Sequence, residues 1–317
     1  MIWAFHISAG NIVTEKIQIR LGGYGPPSTT FSRALKLIGD KLTARFGDRV
    51  DIQYVWNVMD LGYNAEDVLS LVERGALSLG YQSTSGLMPE VGFADLPFLF
   101  ANEAAARAAI DGAFGAQLAS ALEAKTNSRV LGFFENGFRH ISNSIRPVRS
   151  PADFQGMSIR TLNSPIQART FELLGARPVH VGLAKLIAAL DNGEIDGQEN
   201  PLANTVTYGA HKLHKFHTLT NHFYVSRVVA AHRPSFDAWP KDVQDAVRAA
   251  VKEAIPVQRD FAVQEEIDAR KAIEAAGCAV VDLSPAERQA FQDAVKPIYA
   301  EARRQFGDAM LDSLGVG

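Results

Sequence analysis

Apolar and polar positions change rhythm repeatedly along the chain. Residues 17–21, Ile-Gln-Ile-Arg-Leu, alternate with a period of two, the spacing of a half-buried strand. Phe31, Leu35, Ile38 and Leu42 then recur at threes and fours, which predicts an amphipathic helix over 28–45. A strand at 50–56, a helix at 65–74 and an apolar strand at 77–81 complete a βαβαβ series, the pattern of a largely parallel sheet covered by helices. The alternation resumes with a helix at 103–125, strands at 130–134 and 138–144, and a brief strand at 158–161. A helix at 165–174, a strand at 177–181 and a helix at 184–192 closed by Gly193 follow. Two α/β units therefore share the chain.

The last third is dominated by one long helical pattern. After a β-rich stretch at 222–231, residues 241–276 carry the stripe Val243, Val247, Val251 and Ile255. Such a helix spans about 54 Å, long enough to cross two lobes. Pro256 lacks an N–H and crowds the preceding turn, so a kink is expected there. A strand at 279–283 and a helix at 285–306, with Ser284 as its N-cap, close the series.

With 47% hydrophobic and 21% charged residues, the 317-residue chain can fill two compact domains. A formal net charge of −3 gives no general attraction for nucleic acid or an anionic membrane, so any anion site is local. No stretch approaches the roughly 20 apolar residues that span a bilayer. Residues 1–16 lack a basic leading region and are interrupted by His6 and Asn11, so they do not read as an intact signal peptide. The single Cys278 excludes an intramolecular disulfide and a thiolate metal cluster, and its apolar neighbours mark it as inert core.

Catalytic signatures are missing: there is no HExxH, no GxxxxGK[ST] and no GxSxG, and neither a cofactor nor a metal is expected. His211, His214 and His217 stand three apart, but no fourth ligand is near and Lys212 and Lys215 interleave, so they read as surface histidines. The run Gly23-Tyr24-Gly25-Pro26-Pro27-Ser28 is a plain turn or a ligand-facing loop; without a third glycine it is not a dinucleotide loop.

The informative block is 132–221. Gly137-Phe138-Arg139-His140 and Ser158-Ile159-Arg160-Thr161-Leu162-Asn163 each set an arginine in or beside a β-rich run. A buried arginine needs a partner. That partner is either an internal acid or a ligand carboxylate held by two parallel N–H···O bonds.

The run Asp196-Gly197-Gln198-Glu199-Asn200-Pro201 resembles the DGQENP motif of the DctP-like solute-binding proteins of tripartite ATP-independent periplasmic (TRAP) transporters. Asp60-Leu61-Gly62, Asp95-Leu96-Pro97-Phe98, Gly137-Phe138-Arg139, Ile159-Arg160 and Thr220-Asn221-His222 match in order, and the similarity runs from Ile17 onward. The resemblance implies an α/β, two-lobed periplasmic-binding-protein fold of type II-like form, with two mixed sheets flanked by helices and a long kinked helix spanning both lobes. It places lobe 1 at 1–136 with 226–265 and lobe 2 at 137–225 with 266–317, a ligand cleft lying between them.

It also implies a periplasmic receptor, not an enzyme, that captures a small organic carboxylate and hands it to the small and large membrane subunits. The alternative is a ligand-sensing component of a signalling system. The family is often monomeric but includes dimers. By the same resemblance Arg160 pairs with the carboxylate, Arg139 is a second contact, and Asn163 and Asn200 hydrogen-bond in the cleft. Tyr81 and Ser83 are expected to face it from the other lobe, and Tyr24 to add stacking surface. Leu183 and Lys185 stand where family members carry an aromatic residue and a glutamate, so the pocket departs from the family pattern there.

Overall fold

The computed structural model describes residues 16–314. The expectation for residues 1–16 concerns a segment that lies, but for Lys16, outside those described. Among the described residues, nine strands form one hydrogen-bonded sheet: β1 (Ile17–Gly22), β2 (Val50–Val55), β3 (Leu79–Ser83), β4 (Ser128–Asn143), β5 (Ser158–Thr161), β6 (Arg177–His180), β7 (Gly197–Asn200), β8 (Phe216–His232) and β9 (Ala279–Asp282). Their order is β2-β1-β3-β8-β4-β7-β5-β6, with β9 beside β8.

Each end of the sheet is a parallel α/β unit. β1 pairs parallel with β2 and β3, and β5 pairs parallel with β6 and β7. The two expected sheets are continuous because β4 and β8 run antiparallel through both. The strands anticipated at 130–134 and 138–144 are thus one strand, with register shifts at 130/132, 135/137 and 139/141. The first two shifts each add one residue on β4 and the third adds three on β8, bending the ladder and hiding the continuity from a strict period-two reading.

Apolar residues gather in two main cores. The larger holds Ile19, Leu35, Leu79, Phe134 and Val229, sealed by Val243, Val247 and Val251 of the long helix Lys241–Ala275. The smaller holds Ile141, Ile159, Phe171, Phe223 and Phe291. The long helix runs unbroken through Pro256 and packs on helix Thr30–Phe46, β4, helix Leu202–Thr207 and β9, so it touches both halves.

Two expected helices are divided. The 103–125 helix breaks at Gly112, whose φ of −107° and ψ of −145° leave the helical region. The terminal helix breaks at Pro297, which lacks the N–H for a continuing ladder; Ser284 caps its first part with Glu287 completing a capping box. Two of the three histidines are also not surface residues, while His211 is half-buried. His214 and His217 are buried, and burial pulls their pKa values down to about 3 and about 4, leaving both neutral. Cys278 is half-buried, its thiol donating to the His214 carbonyl at 3.2 Å, and burial raises its pKa.

Candidate ligand-binding site

Three strands bring arginines to one cavity. Arg139 comes from β4, Arg160 from β5 and Arg227 from β8, and all three are at least 96% buried. The cavity, 50 Å³, lies where the two halves of the sheet meet. Among the sequence-expected residues, Tyr24, Ser83, Arg139, Arg160, Asn163 and Asn200 line it. Tyr81 does not; it stands behind Tyr24, accepting a hydrogen bond from the Tyr24 N–H at 3.3 Å. Gly23 permits this arrangement, because a Cβ there would lie 2.2 Å from the Tyr81 ring. The Gly-Tyr-Gly loop therefore faces the cavity through Tyr24.

The three guanidiniums are treated differently by their surroundings. Arg139 is committed to a protein acid: its Nε donates to Glu199 Oε2, and its Nη2 to Glu199 Oε1 at 2.7 Å and Asn200 Oδ1 at 2.9 Å. Burial works against the charge of Glu199, yet Arg139 and His222 hold its pKa below the ordinary value. This is the internal-salt-bridge alternative, realised at Arg139. Asn200 also donates to Gln198 Oε1, so its amide is fixed from both ends.

Arg160 has no such partner. Its Nε donates to the Val181 carbonyl at 2.8 Å, and it forms no ion pair with an acid among the described residues. Burial drives its pKa down; the charge of Glu199 opposes that drop, and Arg139 adds to it. A buried cation without a counter-ion is costly and marks a place where an anion is stabilised.

Arg227 was not singled out from the sequence, although it carries the same signal as the other two: an arginine inside the apolar run Val225-Ser226-Arg227-Val228-Val229. Its guanidinium lies 3.6 Å from the Phe31 ring centre and 4.6 Å from that of Tyr24, and Nη2 donates to Asn136 Oδ1 at 3.1 Å. Asn136, Asn204 and Tyr208 also line the cavity and were not anticipated.

A larger cavity of 570 Å³ lies on the far side of Asn136 and Asn204. Its two arginines are both neutralised, Arg107 by Glu135 and Arg270 by Glu274 and Asp282. Glu103, Glu265 and Glu266 add acids to its wall, although burial raises the Glu265 pKa and holds that of Glu266 at about 7, so that Glu266 is only partly ionised near neutral pH. It therefore disfavours an anion, and the smaller cavity is the better carboxylate site despite its size. No group of three or more His, Cys, Asp or Glu residues suited to a metal ion occurs among the described residues.

Residues 21–305 match the model of the DctP proteins, bacterial extracellular solute-binding protein family 7. The chain belongs to this family. It is 33% identical over 235 residues to the 2,3-diketo-L-gulonate-binding periplasmic protein of Escherichia coli strain K12, which covers 73% of this chain and 71% of that one. Among solved structures, the DctP-type sugar-acid-binding protein of Advenella mimigardefordensis in complex with galactonate superimposes with a TM-score of 0.88 at 27% identity, covering 95% of this chain and 97% of that one. A TRAP periplasmic solute-binding protein of Sulfurospirillum deleyianum with bound succinate gives 0.87 at 25% identity, covering 95% and 98%. Members of the DctP family are solute receptors, and this chain is a receptor rather than an enzyme. No helix among the described residues is long and apolar enough to cross a membrane.

Proposed function

We propose that this DctP protein is the periplasmic receptor of a TRAP transporter and that its cavity takes a small organic acid whose carboxylate pairs with Arg160. The observation that carries this reading is Arg160 itself: buried, facing the cavity, and without a protein acid. Relatives that bind diketogulonate, galactonate and succinate support the ligand class.

The lobes are 1–136 with 226–265 and 137–225 with 266–317. In the open form water hydrates Arg160. Closure excludes that water, and the charge-assisted bonds to the carboxylate strengthen in the lower local dielectric. The ligand drives closure only by binding the closed form more tightly than the open one. The Arg139–Glu199 pair does not compete for the ligand; with Gln198 it fixes Asn200, whose second amide N–H orients the acid. The closed shape then docks on the small and large membrane subunits, which reopen it for release.

A thermal-shift screen of organic acids tests the reading. A cognate acid at about 100 times its Kd stabilises by about 2.7 kcal/mol, and this shift disappears in Arg160→Gln. If no acid raises the melting temperature, or Arg160→Gln responds like wild type, the assignment is wrong.

A further inference from the structure

Resting on that reading of the cavity, we infer that Gln198 and Thr205, neither of which lines it, are positioning residues that hold Asn200 as a hydrogen-bond donor toward the ligand. Gln198 stands on β7 opposite Ser142 of β4, and Thr205 on the helix that follows Pro201. With His214 they form a dry polar group behind the cavity wall, each at most 2% exposed.

An asparagine side chain has an acceptor end and a donor end of nearly the same shape, so its neighbours decide which end meets a ligand. Here the decision starts at Arg139, because a guanidinium can only donate. Its Nη2 donates to Asn200 Oδ1 at 2.9 Å, which leaves the NH2 end of Asn200 to donate to Gln198 Oε1. The Gln198 amide is thereby fixed in turn, and its Nε2 donates to Ser142 Oγ at 2.9 Å and to Thr205 Oγ1 at 3.0 Å. Both hydroxyls accept there and send their own hydrogens onward. Thr205 donates to the Pro201 carbonyl at 3.1 Å, and Ser142 to His214 Nδ1 at 2.9 Å.

Every bond in this chain therefore points away from Arg139. Reversing the Gln198 amide would set N–H against N–H at Asn200, and reversing Asn200 would do the same at the guanidinium. One N–H of Asn200 is used on Gln198; the other has no acceptor among the described residues, and Asn200 lines the cavity. An unconstrained asparagine could turn either end to a ligand. This one offers only a donor, so it favours an oxygen acceptor at that point and penalises an N–H group placed there.

A double-mutant cycle read by calorimetry tests the inference, with galactonate as the probe, or succinate if galactonate does not bind. Gln198→Met keeps the length of the side chain and removes both polar ends. It weakens the probe about tenfold in the wild-type background, the upper range for one buried neutral hydrogen bond, and by less than about twofold in an Asn200→Ala background. Equal losses in the two backgrounds make Gln198 a structural residue and overturn the inference, as does unchanged affinity in Gln198→Met. Should Gln198→Met fail to fold by circular dichroism, Thr205→Val replaces it in the cycle with the same two readings and a loss of about threefold. The ligand-free protein gives a second readout. With 15N-labelled asparagine, one Nδ2 proton of Asn200 is protected from solvent exchange, and Gln198→Met, or Thr205→Val in its place, weakens that protection; protection unaltered by the variant also overturns the inference. If wild type binds neither acid and none in the wider thermal-shift screen, the receptor reading fails, and the exchange result alone decides whether Gln198 positions Asn200.

Discussion

Arg139 and Arg160 line the same cavity and are buried to the same extent, yet they sit in opposite electrostatic settings. Arg139 on β4 meets Glu199 from the neighbouring β7, an acid supplied by the fold. Arg160 on β5 meets a backbone carbonyl. Burial alone therefore does not identify a ligand contact; the absence of a compensating acid does. The first pair builds the wall; in the proposed reading the second residue pairs with an anion from outside.

The largest expected effect breaks the comparison on the structural side. Arg139→Met leaves Glu199 buried without its main cation. Removing one partner of a buried pair costs about 3–5 kcal/mol, and we expect a loss in that range. The double variant Arg139→Met with Glu199→Met recovers most of that loss. Arg160→Met, which orphans no acid, leaves the ligand-free protein as stable as wild type or slightly more so. Urea denaturation of the four proteins checks all three; equal destabilisation by the two single variants would remove the distinction.

His214 and His217 show a third treatment of buried polar groups, in which charge is avoided. His214 Nδ1 meets Ser142 Oγ at 2.9 Å, while neither nitrogen of His217 has a partner. Their pKa values are lowered, so as pH falls below about 6.5 the unfolded chain takes up protons that the folded chain does not. Stability is complete above that pH and declines toward about 4. Between pH 6.5 and 5 each imidazole removes about 1.5 kcal/mol. Denaturation at these two values checks the slope, to which buried His140 also contributes, and His217→Phe reduces the loss between them by about 1.5 kcal/mol. A slope unchanged in that variant would assign the acid sensitivity elsewhere.

Arg160→Lys sharpens the functional side. An ammonium keeps the charge but loses the planar fork, so affinity for the cognate acid falls about 30-fold, near 2 kcal/mol. Calorimetry reads this directly; unchanged affinity means that charge alone, and not paired geometry, holds the ligand.

Much of this was legible in the sequence. The strand and helix periodicities placed β1, β5 and the long helix within two residues, because one face of each packs against a core. The capping residue Ser284 was equally visible, since its bond to the Glu287 N–H is local. What escaped depends on contacts distant in sequence. The continuity of β4 and β8 through both halves is a matter of pairing. The burial of His214 and His217 follows from β4 and β9 flanking β8, which no spacing reveals. The sequence showed that Arg139 and Arg160 needed partners, but only the register of β4 with β7 shows that Glu199 serves one and not the other. Arg227 carried the same signal and was passed over because its β-rich run matched no motif.

The smallest predicted effect concerns how the two sides of the cavity meet. Gly86, in proposed lobe 1, has φ +66°, and a Cβ on it would lie 2.5 Å from the Asn163 carbonyl oxygen in proposed lobe 2. Its N–H donates to Asp95 Oδ2 at 3.1 Å, and burial raises the Asp95 pKa to about 6, so the loop carrying Gly86 is tied to a buried carboxyl and cannot easily shift. Gly86→Ala therefore strains the closed form twice, through its left-handed backbone and through the contact with residue 163. Opening the lobes relieves the contact but not the backbone strain, so the substitution penalises closure specifically by the first amount. Affinity for the cognate acid should fall about tenfold, or about 1.4 kcal/mol. Calorimetry with the cognate acid reads this quantity. If affinity is unchanged, residues 86 and 163 do not approach each other in the ligand-bound form, and closure is governed elsewhere along the cavity.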